Sequence, residues 1–191
     1  SSRIFIGFMI GAGIVISINT AYAVIAPFLI QNYFHLSAQQ FGLISIILGG
    51  ASLLSKFINS QLIKKLGLNR AIIISYAILI FAGLALLLVV SLNWVTLSII
   101  IIGVSIASVS SGFMSGNAMA GALGPFRHVG GSACAVYGSL QMAIGFLSGA
   151  ILSVLPWHNT LVLSICYLCL GLLGLVSFLI LVKPFQAKAK Q

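Results

Sequence analysis

Six apolar runs parted by short links are the feature that most limits what this chain can become. At 1.5 Å of rise per residue, about 20 apolar residues carry a helix across the roughly 30 Å hydrocarbon core of a bilayer. The runs at 4–30, 41–63, 71–90, 95–117, 130–155 and 160–182 all reach that length. Backbone groups in hydrocarbon must bond within their own segment or around a closed barrel, and continuous rather than alternating apolar runs select helices. The expected fold class is all-α: one integral-membrane domain of six transmembrane helices over 1–191, with 183–191 as a cytoplasmic tail. A composition that is 61% hydrophobic and 5% charged leaves too little charged surface for a soluble domain.

The links set the orientation. Cytoplasmic loops accumulate Lys and Arg, and here the basic residues alternate without a break. Arg3 precedes the first run, Lys64, Lys65 and Arg70 part the second from the third, Arg127 parts the fourth from the fifth, and Lys183, Lys188 and Lys190 follow the sixth. The opposite links at 31–40, 91–94 and 156–159 carry none. Both termini are therefore expected in the cytoplasm. Nine Lys plus Arg against no Asp or Glu is a balance that nucleic-acid binders share, but grouped between apolar runs these charges mark topology instead, and no nucleic-acid partner is expected. The chain opens Ser1, Ser2, Arg3 with no initiating Met, so a natural start is expected upstream; the first run is too long for a signal-peptide core.

Polarity is uneven among the spans. The third and sixth are the most apolar, whereas the first carries Asn19, Thr20 and Tyr22, the fourth many serines, and the fifth Tyr137 and Gln141. This recurrence every three helices fits two three-helix units. Helical spacing puts Ser98, Ser105, Ser108, Gly112 and Ser115 near one stripe of the fourth span, and Cys134, Tyr137, Gln141 and Ser148 near one stripe of the fifth. Serines on such stripes either ease helix packing or line a cavity. Asn19, Tyr22, Asn117, Tyr137 and Gln141, with Ser105 and Ser108, are the substrate-cavity candidates, because an amide or phenol without a partner is costly in lipid and suits a mostly apolar ligand held by a few polar contacts. Gly7 with Gly11, Gly112 with Gly116, and Gly145 with Gly149 form GxxxG pairs that permit close helix crossing.

Lys56 is the only formal charge inside a run. At the bilayer centre it would cost about 2.5–3.5 kcal/mol, so it either snorkels to the cytoplasmic headgroups or pairs with a group this chain does not supply. Cys134, Cys166 and Cys169 fall inside apolar runs and read as small packing residues, and His35, His128 and His158 fall in links. Neither a nucleophile with its base, nor a metal cluster, nor a phosphate loop is present in the sequence, so an enzyme, a cofactor or a metal is not expected.

Two stretches resemble the Bcr/CflA drug-resistance subfamily of the major facilitator superfamily. One is Asn117, Ala118, Met119, Ala120 followed by Pro125, Phe126, then Gly130, Gly131, Ser132, Ala133 and Gly138 to Gln141, similar to the join of that family's tenth and eleventh helices. The other, Ala26, Pro27, Phe28 with Leu36, Ser37, Ala38, Gln39, Gln40, Phe41, Gly42, is similar to the link between its seventh and eighth. Lys64, Lys65, Gly67 and Arg70 resemble a degenerate copy of the superfamily's basic cytoplasmic loop, with Lys64 where an acid would stand, and are candidates for a loop that holds helix ends together during gating. The resemblance implies the C-terminal half of a twelve-helix transporter in a bacterial inner membrane, a proton-coupled multidrug exporter working by alternating access on small amphipathic substrates. It further implies that the first and fourth spans line the cavity, the second and fifth face an N-terminal six-helix half, and the third and sixth meet lipid. The coupling carboxylates would belong to the other half. A facilitator for another small solute, or a non-transporting or truncated membrane protein, stays open beside it.

Overall fold

The computed structural model describes residues 2–155 and 159–182. The link at 156–158, with His158, and the tail at 183–191, with Lys183, Lys188 and Lys190, lie outside the described residues, as do the side chains of Ser2, Arg3, Asn32, Arg127 and His128. Everything described is helix or short connection, with no strand among the described residues. Six helices are long and apolar enough to cross a membrane.

The first, α1, covers Ser2–Pro27 and continues as a π-helical segment over Phe28–Tyr33. Pro27 has no N–H to give the preceding turn, and the wider segment after it is closed by the Phe34 N–H on the Leu29 carbonyl at 3.2 Å. The second, α2, covers Ala38–Leu66 and starts ahead of the expected residue 41, because a capping box begins it. The Ser37 Oγ accepts from the Gln40 N–H at 3.3 Å, and the Gln40 Oε1 accepts from the Ser37 N–H at 2.9 Å. Polar cap residues are invisible to a count of apolar ones.

Gly67 alone separates α2 from α3, Leu68–Ser91. Its φ of +77° and ψ of 164° belong to a region that only glycine adopts freely. The fourth helix, α4, runs over Leu97–Leu123, past the expected end at 117, since Ala118 to Leu123 continue the helix until Pro125. A 3-10 segment, Gly124–Val129, joins it to α5, Gly130–Val154, and α6 covers Thr160–Leu181 with Asn159 capping the Val162 N–H at 3.1 Å.

The helices α1 and α4 cross at the centre of the bundle. Of the most apolar stretch of each helix, 61% is buried in α1 and 56% in α4, against 17% in both α2 and α5. Around this pair, α5 and α6 pack on α1, while α2 and α3 pack on α4. The third and sixth spans, α3 and α6, also pack on each other, a pairing that the expectation of lipid contact did not include. A Cβ at Gly83 would stand 2.7 Å from the Leu168 N, and one at Gly171 2.7 Å from the Ile80 Cγ1, so the two backbones meet through glycine. Only their outer faces, with Phe81, Leu84 and Leu88 or Leu172, Leu173, Val176 and Ile180, are exposed.

Candidate functional site

A cleft of about 470 Å³ opens between α1, α2 and α4, with Tyr167 of α6 at its back. It is built from one face of each helix. On α2, Ser45, Gly49, Ser52, Lys56 and Asn59 recur at spacings of four, three, four and three, which keeps them on a single stripe, and the first four line the cleft. Opposite them stand Ile18, Asn19 and Tyr22 of α1 and Ser108 of α4, with Leu48 and Leu53 supplying apolar wall.

Several of these polar groups are already committed. The Asn19 Nδ2 donates to the Val15 carbonyl at 2.9 Å, along its own helix. The Ser45 hydroxyl donates to the Phe41 carbonyl at 3.0 Å, so the Tyr22 hydroxyl, 3.3 Å away, is the donor of the pair they form. The Tyr22 ring is stacked on Phe41 at 6.3 Å between centroids, which fixes the phenol at the cleft wall. Others are uncommitted. Lys56 is exposed to the cleft with no hydrogen bond or ion pair among the described residues, and the sequence contains no side-chain carboxylate to pair with it. The fully buried Tyr167 has a hydroxyl without a partner.

Lys56 also stands well inside α2, away from either end. Ten residues separate it from Leu66, about 15 Å along the axis, because α2 extends beyond the expected residue 63. The other charges on these helices, Arg3, Lys64, Lys65 and Arg70, stand in a first or last turn.

The structure therefore brings Asn19, Tyr22, Ser108 and Lys56 together and sends the remaining candidates elsewhere. Asn117 is buried between α2 and α4, where its amide and that of Asn59 exchange hydrogen bonds of 3.0 and 3.1 Å. Gln141 reaches from α5 to donate to the Ala12 carbonyl of α1 at 3.1 Å. Tyr137 is buried on α5, and the Ser105 hydroxyl turns back on the Ile101 carbonyl at 2.7 Å. The amides of Asn117 and Gln141 thus join helices, and the Ser105 hydroxyl satisfies its own. At the loop, Lys64, Lys65, Gly67 and Arg70 are exposed around the α2–α3 turn.

Ser45, Gly49, Ser52 and Tyr167 were not singled out by sequence. The α2 stripe had a readable signal in its heptad-like spacing around Lys56, whereas Tyr167, in the very apolar sixth span, gave none. Comparison with family models, with characterised proteins and with solved structures finds no match to this chain.

Proposed function

We propose that this chain is the C-terminal half of a secondary active transporter, a proton-coupled multidrug exporter that works by alternating access on small amphipathic substrates. The observation that carries the proposal is the cleft, lined by polar groups and by one exposed, uncommitted cation, Lys56, between the helices at the centre of the bundle. Asn19 lies 15 residues from Ile4 and 12 from Gln31, or about 22 and 18 Å from either end of its span, so the cleft reaches the midplane. Hydrocarbon is a poor cover for such groups, since an ionised Lys there costs about 2.5–3.5 kcal/mol. Water or a second protein surface must cover it. Its volume is within the usual range of small-molecule sites.

Two further features support the reading. Exchanging each helix with the one three places later maps the packing of α5 and α6 on α1 onto that of α2 and α3 on α4, as two three-helix repeats would require. The cleft-lining α2, with α5, is also the least buried, and these two helices would face an N-terminal six-helix half, in the same longer chain or a separate one. On this reading the protein lies in a bacterial inner membrane with both termini in the cytoplasm, and the coupling carboxylates come from the other half. The amide and hydroxyl groups of the cleft also favour a second reading, a facilitator for a more polar solute.

Expression of the chain together with its natural partner region in cells loaded with fluorescent amphipathic compounds separates the two. Efflux that collapses when the proton gradient is dissipated supports the exporter; gradient-independent uptake of polar solutes supports the facilitator. Absence of any movement in cells and in proteoliposomes would overturn both.

A further inference from the structure

The α1, α2 and α4 cleft has an imbalance of charge and of donors. Lys56 brings three N–H donors and no acceptor, and neither a hydrogen bond nor an ion pair among the described residues engages it. The Tyr167 hydroxyl at the back of the cleft is buried without a partner. Ser52 and Ser108 contribute two more hydroxyls whose oxygens form no side-chain hydrogen bond among the described residues, although the backbone carbonyls of both accept from Ser55 and Ser111. Asn19, Tyr22 and Ser45, by contrast, have each directed a proton to a protein acceptor. What the cleft offers an incoming molecule is thus chiefly the positive charge of Lys56 and the hydroxyls of Ser52 and Ser108.

A counter-charge cannot come from a side chain of this chain, which has no Asp or Glu. Lys56 is exposed in the cleft, and a ligand that displaces water from beside its ammonium must bring the missing counter-charge, because a charge left without water or a partner is costly. Ile18, Leu48 and Leu53 line the same cleft, and this apolar wall favours a molecule with an apolar body over a bare inorganic ion.

We infer that the cleft takes an amphipathic organic anion, with its carboxylate or sulfonate on Lys56 and its apolar part against Ile18, Leu48 and Leu53. The inference rests on the cleft being a ligand site, as proposed above, and adds the charge of the ligand. An organic anion already offers what Lys56 lacks, and its binding would be lost with the ammonium and not with the chain's other basic residues.

The test is equilibrium binding to the full chain in phosphatidylcholine nanodiscs, whose lipid has no net charge. The probes are 2-naphthoate, the neutral 2-naphthamide and the cationic 2-naphthylmethylammonium, which share one apolar body. Naphthoate is expected to bind at least ten-fold more tightly than the cation, with the amide between them. Lys56→Gln should bring naphthoate to the level of the amide while leaving amide binding intact, which shows that the cleft still forms. Lys56→Arg should keep the preference, and Lys188→Gln, which removes the same unit of charge after the sixth span, should not change it. Equal binding of all three probes, survival of the preference in Lys56→Gln, or an equal loss in Lys188→Gln would overturn the inference and leave the cleft as a ligand site. Failure of every probe to bind would overturn the ligand site itself, and the inference with it.

Discussion

The two asparagines Asn59 and Asn117 show how much a polar residue's role depends on its partner. Each amide donates to and accepts from the other, so neither is left unsatisfied between α2 and α4. Replacing one strands the other. We expect Asn117→Leu to lower stability by about 1–2 kcal/mol, and the double substitution Asn59→Leu with Asn117→Leu to cost less than the sum of the two singles. Unfolding in a fixed detergent, followed as a double-mutant cycle, measures this. In sequence Asn117 stands out because an amide inside an apolar run is rare, but Asn59 is hidden beside Ser60 and Gln61, close to a basic helix end where polar residues are ordinary. Pairing across 58 residues leaves no local trace, so one half of the pair was legible and the bond was not.

At the scale of the helix, one GxxxG pair contains two unlike glycines. A Cβ on Gly112 would run into Ser55 and stand 2.6 Å from the Ser52 carbonyl oxygen on α2, whereas one on Gly116 meets nothing within 4 Å. Gly112→Val is therefore expected to part α2 from α4 and cost about 1–3 kcal/mol, as overpacking does elsewhere. Gly116→Ala should be neutral or stabilise by up to about 1 kcal/mol through helix propensity. Thermal unfolding of both variants under one condition compares them. Gly67→Ala belongs here too: its backbone conformation disfavours any side chain, and a cost of about 1–3 kcal/mol is expected in the same assay. All six spans were legible because each must supply its own length of apolar surface. Their ends were less so. The apolar count stopped at 117, while α4 continues through small residues to Leu123, and it missed the polar cap that starts α2. The pairing of α3 with α6 was not legible at all, since an apolar face reads alike whether it meets a neighbour or lipid.

Across the whole molecule, the arrangement concentrates buried surface in α1 and α4 and leaves α2 and α5 the most exposed, with the polar cleft bounded on one side by α2. Basic residues at the α2–α3 turn set the expected cytoplasmic side, so a cysteine placed at Lys64 should react from that side alone and one at Asn93 from the other. The central claim is that the α1, α2 and α4 cleft is a water-filled path at membrane depth rather than a seam facing lipid. Its most direct measurement is labelling by a membrane-impermeant maleimide in right-side-out and inside-out vesicles, with Cys134, Cys166 and Cys169 replaced by Ala. The account predicts that Ser52→Cys is labelled from at least one side while Leu84→Cys, on the outer apolar face of α3, is labelled from neither. Protection of Ser52→Cys from both sides, equal to that of Leu84→Cys, would contradict it.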